Sequence, residues 1–357
     1  MFLKSPRPAF CLLLFSFLFF SSCSTPPIPA AQPFLYLYRF NPPAFVQLSQ
    51  ELQPVKEIPF SIPPDCSLLD AFPAPAGSLL LVELSCPNGQ TVLFLDTDSG
   101  SVTQPVTESD SHFLAWSPDG KSVYLKVDSL GNARVVRSDK KGRLRDLEIA
   151  GWTYDLSTMP ASSDFVFTVS RGLGSGSEMT LAQRNGGDFQ QLLVDRYNYL
   201  SFARYSPDGK RIAFIKIPDS PTPFTLGELW VMNADGSDPR KLADADAGHG
   251  YAANWSPDGK WIAFVKRENP QDQSADQSSG LLISNIDLVN VESGELRQIT
   301  SLTNGRAETP HWAPDGNTLA FNTVIDGRME VQIADIRTGE MRSPVTEPAC
   351  CPAWLRK

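Results

Sequence analysis

The chain carries three histidines, which are the residues best suited to bind a metal or to transfer protons. Each stands shortly before a tryptophan: His112 by four residues, His249 by six and His311 by one. If the three converge, with or without Glu308, they could hold a divalent cation. Their unequal spacing instead favours three independent polar residues. We predict no metal and no cofactor, and we keep a site of His112, His249 and His311 as the alternative.

Other patterns typical of catalysis are missing from the sequence. No Gly-x-Ser-x-Gly nucleophile elbow occurs. Residues 172–177 are rich in glycine, but no helix is expected after them, so they are interpreted as a flexible loop and not as a phosphate cradle. No catalytic residue is therefore assigned, and a non-catalytic protein is favoured while enzymatic activity stays open.

The first residues indicate export. Lys4 and Arg7 precede an apolar run, Ala9–Phe20, which is too short to span a bilayer about 30 Å thick and is typical of a signal peptide. The run ends close to Ser21-Ser22-Cys23, which resembles the cleavage box of bacterial lipoproteins. This resemblance implies a lipid on Cys23, and ordinary cleavage near Ser22 is the alternative.

This interpretation divides the chain into three parts. Residues 1–22 form a lipoprotein signal peptide, 23–33 a tether rich in proline and alanine, and 34–357 the folded domain. The mature protein is expected on the extracytoplasmic side of a bacterial cell envelope, held to a membrane by its lipid.

Four further cysteines lie in the mature chain. Cys66 and Cys86 flank a predicted hairpin and are candidates for a disulfide, which an exported protein can keep. Cys350 and Cys351 are adjacent, and a vicinal bridge, pairing elsewhere and the reduced state all stay open. A zinc site is not expected, because no Cys-x-x-Cys pair occurs.

The strongest signal is an internal repeat with four clear copies. Each copy has an aromatic residue, then Ser or Ala, then Pro-Asp-Gly, then an alternating apolar run, as in Trp116–Leu125. Proline fixes φ, aspartate bonds the local backbone and glycine takes a positive φ, so the motif is a tight turn between two strands. We therefore interpret the recurring acidic residues as structural; the turn residues are Asp119, Gly120, Asp208, Gly209, Asp258, Gly259, Asp315 and Gly316.

Weaker copies fill the gaps in the repeat. Residues 158–169 and 74–82 fit the same turn, which makes six turn motifs. Residues 352–354 match the strand before such a turn, and 34–38 match the strand after it. Because four strands per repeat are typical of a propeller blade, we predict an all-β, seven-bladed β-propeller of four-stranded antiparallel blades. The N- and C-terminal strands share one blade, and six blades are the alternative.

These motifs resemble the WD-repeat-like blades of the TolB family and of the dipeptidyl peptidase IV propeller. The resemblance covers about residues 34–357 and implies the fold, while the same blade serves scaffolds, peptidase gates and some lyases. The extra N-terminal α/β domain of TolB is not expected, since only about ten residues separate Cys23 from the first strand.

Composition limits the partners. A net charge of −9 argues against nucleic-acid binding, which needs a basic surface. We expect a monomer that binds a protein, peptide or glycan on the face bearing its long loops, residues 217–227 and 267–280. Candidate contacts on that face are His112, Tyr197, Tyr199, His249 and Tyr251. The alternative function is a metal-dependent lyase or hydrolase acting on sugar acids in the channel.

Overall fold

The structure is a computed structural model that describes residues 33–106, 110–129, 131–149, 153–172, 174–183, 188–246 and 252–356. Apart from one turn of 3₁₀-helix, Ser279–Leu281, its regular elements are strands. No helix among these residues is long and apolar enough to cross a bilayer.

The strands follow the repeat of the sequence. In chain order they are β1 (Pro33–Phe40), β2 (Pro43–Leu48), β3 (Pro54–Pro59), β4 (Ser67–Pro73), β5 (Leu79–Cys86), β6 (Gly89–Asp96), β7 (Val102–Thr103), β8 (Asp110–Trp116), β9 (Ser122–Ser129), β10 (Asn132–Asp139), β11 (Leu144–Asp146), β12 (Thr153–Thr158), β13 (Phe165–Ser170), β14 (Ser177–Gln183), β15 (Asp188–Asp195), β16 (Asn198–Tyr205), β17 (Arg211–Pro218), β18 (Leu226–Asn233), β19 (Arg240–Asp246), β20 (Asn254–Trp255), β21 (Trp261–Arg267), β22 (Ser284–Asn290), β23 (Leu296–Gln298), β24 (Arg306–Trp312), β25 (Thr318–Ile325), β26 (Arg328–Asp335), β27 (Met341–Arg342) and β28 (Ala349–Arg356).

Four consecutive strands make one antiparallel meander. The described strands form five four-stranded sheets and one of eight strands, in which a parallel bridge between Ser284 and Arg306 joins two meanders. We call the strand that begins each meander its leading strand; the leading strands are β4, β8, β12, β16, β20, β24 and β28.

One sheet is built from both ends of the chain. Its order is β28-β1-β2-β3, with Pro33 opposite Arg356 and Leu35 opposite Trp354. The edge of β1 that the N-terminal strands leave open is thus covered by the last strand. An open edge of this kind would otherwise pair with other chains.

The core lies between neighbouring sheets. One apolar cluster, for example, joins Ile215 and Leu229 of one sheet to Ile262 and Phe264 of the next. The sheet with both chain ends packs on each side in the same way: one cluster joins it to the β4–β7 sheet and another to the β24–β27 sheet. Packing therefore continues from sheet to sheet through the junction of the termini.

The Pro-Asp-Gly turns have the local structure that their residues dictate. In the first clear copy, Asp119 Oδ1 accepts hydrogen bonds from Ser117 Oγ at 2.7 Å and from the Lys121 N–H at 3.1 Å. Gly120 has a φ of 65°, in the left-handed region that favours glycine. The turns at Asp208, Asp258 and Asp315 also use their carboxylates to hold the backbone N–H groups that follow.

A tryptophan near the end of four leading strands ties that strand to the preceding leading strand. Its indole N–H donates to a backbone oxygen of the preceding strand: Trp116 to Phe72 at 3.2 Å, Trp255 to Arg204 at 3.0 Å, Trp312 to Asn254 at 3.1 Å and Trp354 to His311 at 3.3 Å. Thr158 stands at the same place in its repeat, and its hydroxyl donates to the Trp116 oxygen at 2.9 Å. These bonds repeat because the motif repeats.

The described residues contain two disulfides. Cys66 is joined to Cys86, with a Cα–Cα distance of 4.2 Å, so the segment entering β4 is linked to the end of β5. Cys350 and Cys351 are joined to each other in β28, and both are buried.

Replacing Trp312 with phenylalanine tests the tie between sheets. W312F keeps an aromatic ring but leaves the Asn254 oxygen without its donor, which we expect to cost about 1–3 kcal/mol of stability. The measurement is thermal unfolding. The control is W230F, because the Trp230 indole bonds only the Glu228 side chain nearby. Equal melting temperatures for the two variants would contradict a structural role for the Trp312 bond.

Candidate channel site

A cavity of about 470 Å³ lies where the leading strands converge. Its lining follows the register of the repeat. Two positions of each repeat line the cavity, counted from the residue that directly precedes the turn. The residues three positions before it are Asp70, Phe113, Asp155, Phe202, Ala252 and Thr309. The residues one position before it are Phe72, Ala115, Ser157, Arg204, Asn254 and His311. Residues two apart on a strand share a face, which explains why both positions point to the same cavity.

The leading strands are bulged close to this lining. The pairing register slips between Leu68 and Asp70 in β4, and similar slips occur in β8, β12, β16 and β24. Phe202, Thr309 and Cys351, each three residues before an aromatic residue, have positive φ values of 57°, 50° and 60°. A bulge frees backbone groups from the ladder and re-aims side chains.

Polar side chains from the preceding sheet bond the N–H groups at these bulges. Asp155 Oδ2 accepts from the Ala203 N–H, and Asn322 Oδ1 accepts from the Cys351 N–H at 3.1 Å. Glu83 Oε1 is 3.4 Å from the Phe113 N–H. These contacts hold the lining in place from outside the leading strand.

Asp155 and Arg204 form an ion pair in the cavity wall. The Arg204 Nη1 atom is 3.0 Å from Asp155 Oδ1 and also donates to the Ala203 oxygen at 2.7 Å. Because Asp155 holds the neighbouring backbone as well, the two charges are fixed in position and compensate each other.

Asp70 has a different environment. Burial, opposed by a hydrogen bond from the Ala71 N–H and aided by the nearby Glu308 carboxylate, raises the pKa of its carboxyl group to about 7. Glu308 therefore carries a charge of the same sign as that of ionised Asp70. A nearby cation would stabilise the ionised form of a carboxyl group in this environment.

A second buried acidic residue, Glu83, lies on β5 opposite Asp70. Burial raises the pKa of Glu83 to about 8, with smaller contributions from Asp70 and Asp110. His112 lies between the two acids: its Nδ1 is 3.7 Å from Glu83 Oε1 and its Nε2 is 3.2 Å from Asp110 Oδ1. This histidine therefore belongs to a local group on β5 and β8.

His311 reaches the cavity from β24. Burial lowers the pKa of its imidazole to about 4, so the ring is neutral at physiological pH. Its Nε2 atom is buried and has no hydrogen-bond partner among the described residues. His249, Tyr251 and Cys23 lie outside the described residues. Within the part of the chain that is described, no three His, Cys, Asp or Glu side chains are placed to hold a metal.

The two other predicted contacts differ in exposure. Tyr197, between β15 and β16, is 81% exposed. Tyr199 packs edge-on against Tyr154, with ring centroids 6.1 Å apart. Tyr197 precedes β16 and Tyr199 lies near its start, whereas the cavity-lining residues of that strand are Phe202 and Arg204.

The long loops pack against each other. Arg267, whose side chain is fully buried, pairs with Asp276 at 2.8 Å and with Asp246 at 2.9 Å. The Phe224 N–H of the shorter loop donates to the Asp276 oxygen at 3.2 Å. The buried arginine and its two carboxylates thus tie loop 267–280 to β19 and β21. Recognition by these loops stays a prediction.

Sequence reasoning missed Asp70, Glu83, Asp155 and Arg204. The signal that locates Asp70, Asp155 and Arg204 is their register: one or three positions before the residue that precedes each turn. Glu83 lies on β5, and only the register of the β8 bulge brings it to the Phe113 N–H. The sequence instead drew attention to the histidines, because there are only three and their side chains suit metal binding and proton transfer.

Solved structures share this architecture. The chain aligns with TolB from Acinetobacter baumannii at 19% identity and a TM-score of 0.51, covering 88% of this chain and 79% of that one. Oligogalacturonate lyase in complex with manganese gives 14% identity, a TM-score of 0.58 and coverages of 88% and 86%. A prolyl endopeptidase gives 12% identity and a TM-score of 0.61, covering 89% of this chain, which spans about half, 49%, of that one.

These likenesses identify the fold. The chain is an all-β protein with the TolB-like β-propeller fold. No family model matches the sequence, and no curated protein matches it at a significant level.

The buried acid Glu83 predicts a pH dependence of stability. Because its folded-state pKa lies above the ordinary value of 4.5, proton binding favours the folded chain; this contribution is complete below pH ~4.5 and is lost as pH rises through about 8. Glutamine at position 83 keeps an oxygen for the Phe113 N–H but cannot ionise. Between about pH 5.5 and about pH 8.5 we expect wild type to lose about 1–3 kcal/mol more stability than E83Q.

Thermal unfolding at a series of pH values measures this difference. The control is E295Q, at an exposed turn, which should follow wild type throughout. An E83Q curve parallel to wild type would show that Glu83 does not titrate in this range.

Proposed function

We propose that this chain is an exported, lipid-anchored β-propeller of seven blades that binds a partner protein, peptide or glycan at the bacterial cell envelope without catalysing a reaction. The seven-blade count is supported by the strand order: each leading strand begins a four-stranded meander, and the last meander is completed by β1, β2 and β3. The eight-stranded sheet then counts as two blades linked by one bridge.

The observation that carries the binding role is the channel cavity. Side chains from β4, β8, β12, β16, β20 and β24 meet there, with aromatic rings and charged groups side by side. Apolar walls with a few fixed polar groups are typical of ligand sites. The Asp155–Arg204 pair supports recognition, since both side chains are already bonded to the backbone and present a fixed charge pattern.

The anchor is proposed from the residues around Cys23. The propeller supports this arrangement in one respect: the chain enters β1 at Pro33, beside Arg356, and the Arg356 oxygen accepts from the Gly77 N–H in a turn between β4 and β5. Pro33 therefore lies at the face of the propeller that carries the Pro-Asp-Gly turns.

A metal-dependent lyase or hydrolase acting on sugar acids is the second candidate. Its support is the likeness in fold to oligogalacturonate lyase and the position of His311 in the cavity. The described residues do not fit a metal centre, because His112 lies between Glu83 and Asp110 while His311 stands on β24. Metal analysis of the purified protein separates the candidates, since about one tightly held manganese or zinc ion per chain would favour the lyase.

The anchor is tested by replacing Cys23 with serine in the full-length chain. We expect C23S to lose incorporation of a labelled fatty acid and to move from the detergent phase to the aqueous phase in phase separation, because serine cannot form the thioether. The double variant C66S/C86S serves as control and should keep the label. Labelled C23S protein would contradict the anchor at this residue.

The binding role is tested by capture from solubilised envelopes with the lipidated protein, followed by mass spectrometry. A115W should lose the partner, because Ala115 lines the cavity and an indole would fill it. A76W places the same side chain on an exposed turn and should keep the partner. If wild type captures nothing beyond what A115W captures, the channel is not the binding site.

A further inference from the structure

Asp70 is an acidic group of the cavity wall that has no basic partner among the described lining residues. The other charged acid and base of this lining, Asp155 and Arg204, pair with each other at 3.0 Å. The ionisable groups that act on Asp70 from other strands are both acidic: Glu83 of β5, and Glu308 of β24, which pairs with Arg306 at 3.3 Å. The electrostatics of the cavity thus favour a positive group near Asp70.

Aromatic faces stand next to this carboxylate. Phe72 is two residues from Asp70 on the same face of β4 and stacks on Phe113, with ring centroids 4.2 Å apart and planes 22° apart. Trp116 continues the wall, with its ring centroid 6.4 Å from that of Phe113. Aromatic rings attract cations, and they do so most effectively where water is partly excluded.

A guanidinium group matches both features. It is planar, so it stacks on aromatic rings, and it can pair with a carboxylate through two parallel hydrogen bonds. A compact ammonium ion offers the charge without the flat surface. The neutral His311, whose Nε2 has no partner among the described residues, adds a polar group to the same cavity without opposing a cation.

We propose that the channel cavity is an arginine-recognition site, in which Asp70 pairs with a guanidinium group that stacks against the wall of Phe72 and Phe113. The arginine is carried by the partner that the channel binds, so this inference rests on the proposed binding role. It adds the chemistry of the contact: a basic side chain inserted into an acidic, aromatic cavity.

The test uses Nα-acetyl-arginine methylamide as the probe and its citrulline analogue, which has nearly the same shape but no charge. Binding to the folded protein is measured by calorimetry and by the change in tryptophan fluorescence. We expect the arginine probe to bind about ten- to hundredfold more tightly than the citrulline probe, the range for a charge-assisted pair. Equal affinities would overturn the proposal.

Two further measurements place the contact at Asp70. D70N should remove the preference for arginine, whereas D119N, at an exposed turn, should keep it. In wild type the affinity for the arginine probe should rise about tenfold from about pH 6 to about pH 8 as the carboxylate ionises, and this holds whether or not D70N folds. A D70N protein with the wild-type preference, or a citrulline probe with the same pH dependence, would overturn the assignment.

The outcome for the binding role is separate. If D70N captures the same envelope partner as wild type, the arginine contact is wrong while the binding role stands. If the arginine probe binds as expected but A115W loses no partner, the site is correct and the proposed role of the channel fails.

Discussion

The structure depends on one interaction that recurs at five of the seven leading strands: a side-chain donor near the end of the strand bonds a backbone oxygen of the preceding leading strand. Tryptophan supplies the donor at positions 116, 255, 312 and 354, and Thr158 supplies it with a hydroxyl group. The indole adds a large apolar surface to the same contact. Each bond fixes the spacing of two neighbouring leading strands, and the cavity lies between strands spaced in this way.

The cavity shows how one repeat can produce an asymmetric site. The backbone geometry is shared, including bulges and left-handed residues, yet the side chains at the lining positions range from Asp70 and Asp155 to Phe113 and Ala252. The tryptophan before a turn is constrained by its hydrogen bond to the preceding leading strand, whereas the two lining positions of the repeat carry acidic, basic, aromatic and small residues. The chemical variety of the site is therefore concentrated at these two positions.

Much of the fold could be predicted from the sequence, because the Pro-Asp-Gly turn and its flanking aromatic residue have strong local preferences. The pairing of residues 34–38 with the C-terminal strand also followed from the repeat. The site could not be predicted as well. Bulges arise from pairing between strands, so the contact between Glu83 and Phe113 leaves no pattern in the local sequence. Arg267 was placed in a variable loop, since its two partners, the buried Asp246 and the half-buried Asp276, come from different segments.

The sheet shared by the two chain ends has a consequence for biosynthesis. During synthesis β1 appears first, but its partner β28 comes after every other described strand. Until then β1 presents an unpaired edge, and joining such distant segments carries the largest loop-closure entropy in the fold. A nascent chain of this architecture is therefore exposed to edge-to-edge aggregation throughout its production, and it gains most from a chaperone that shields the strand following residue 32.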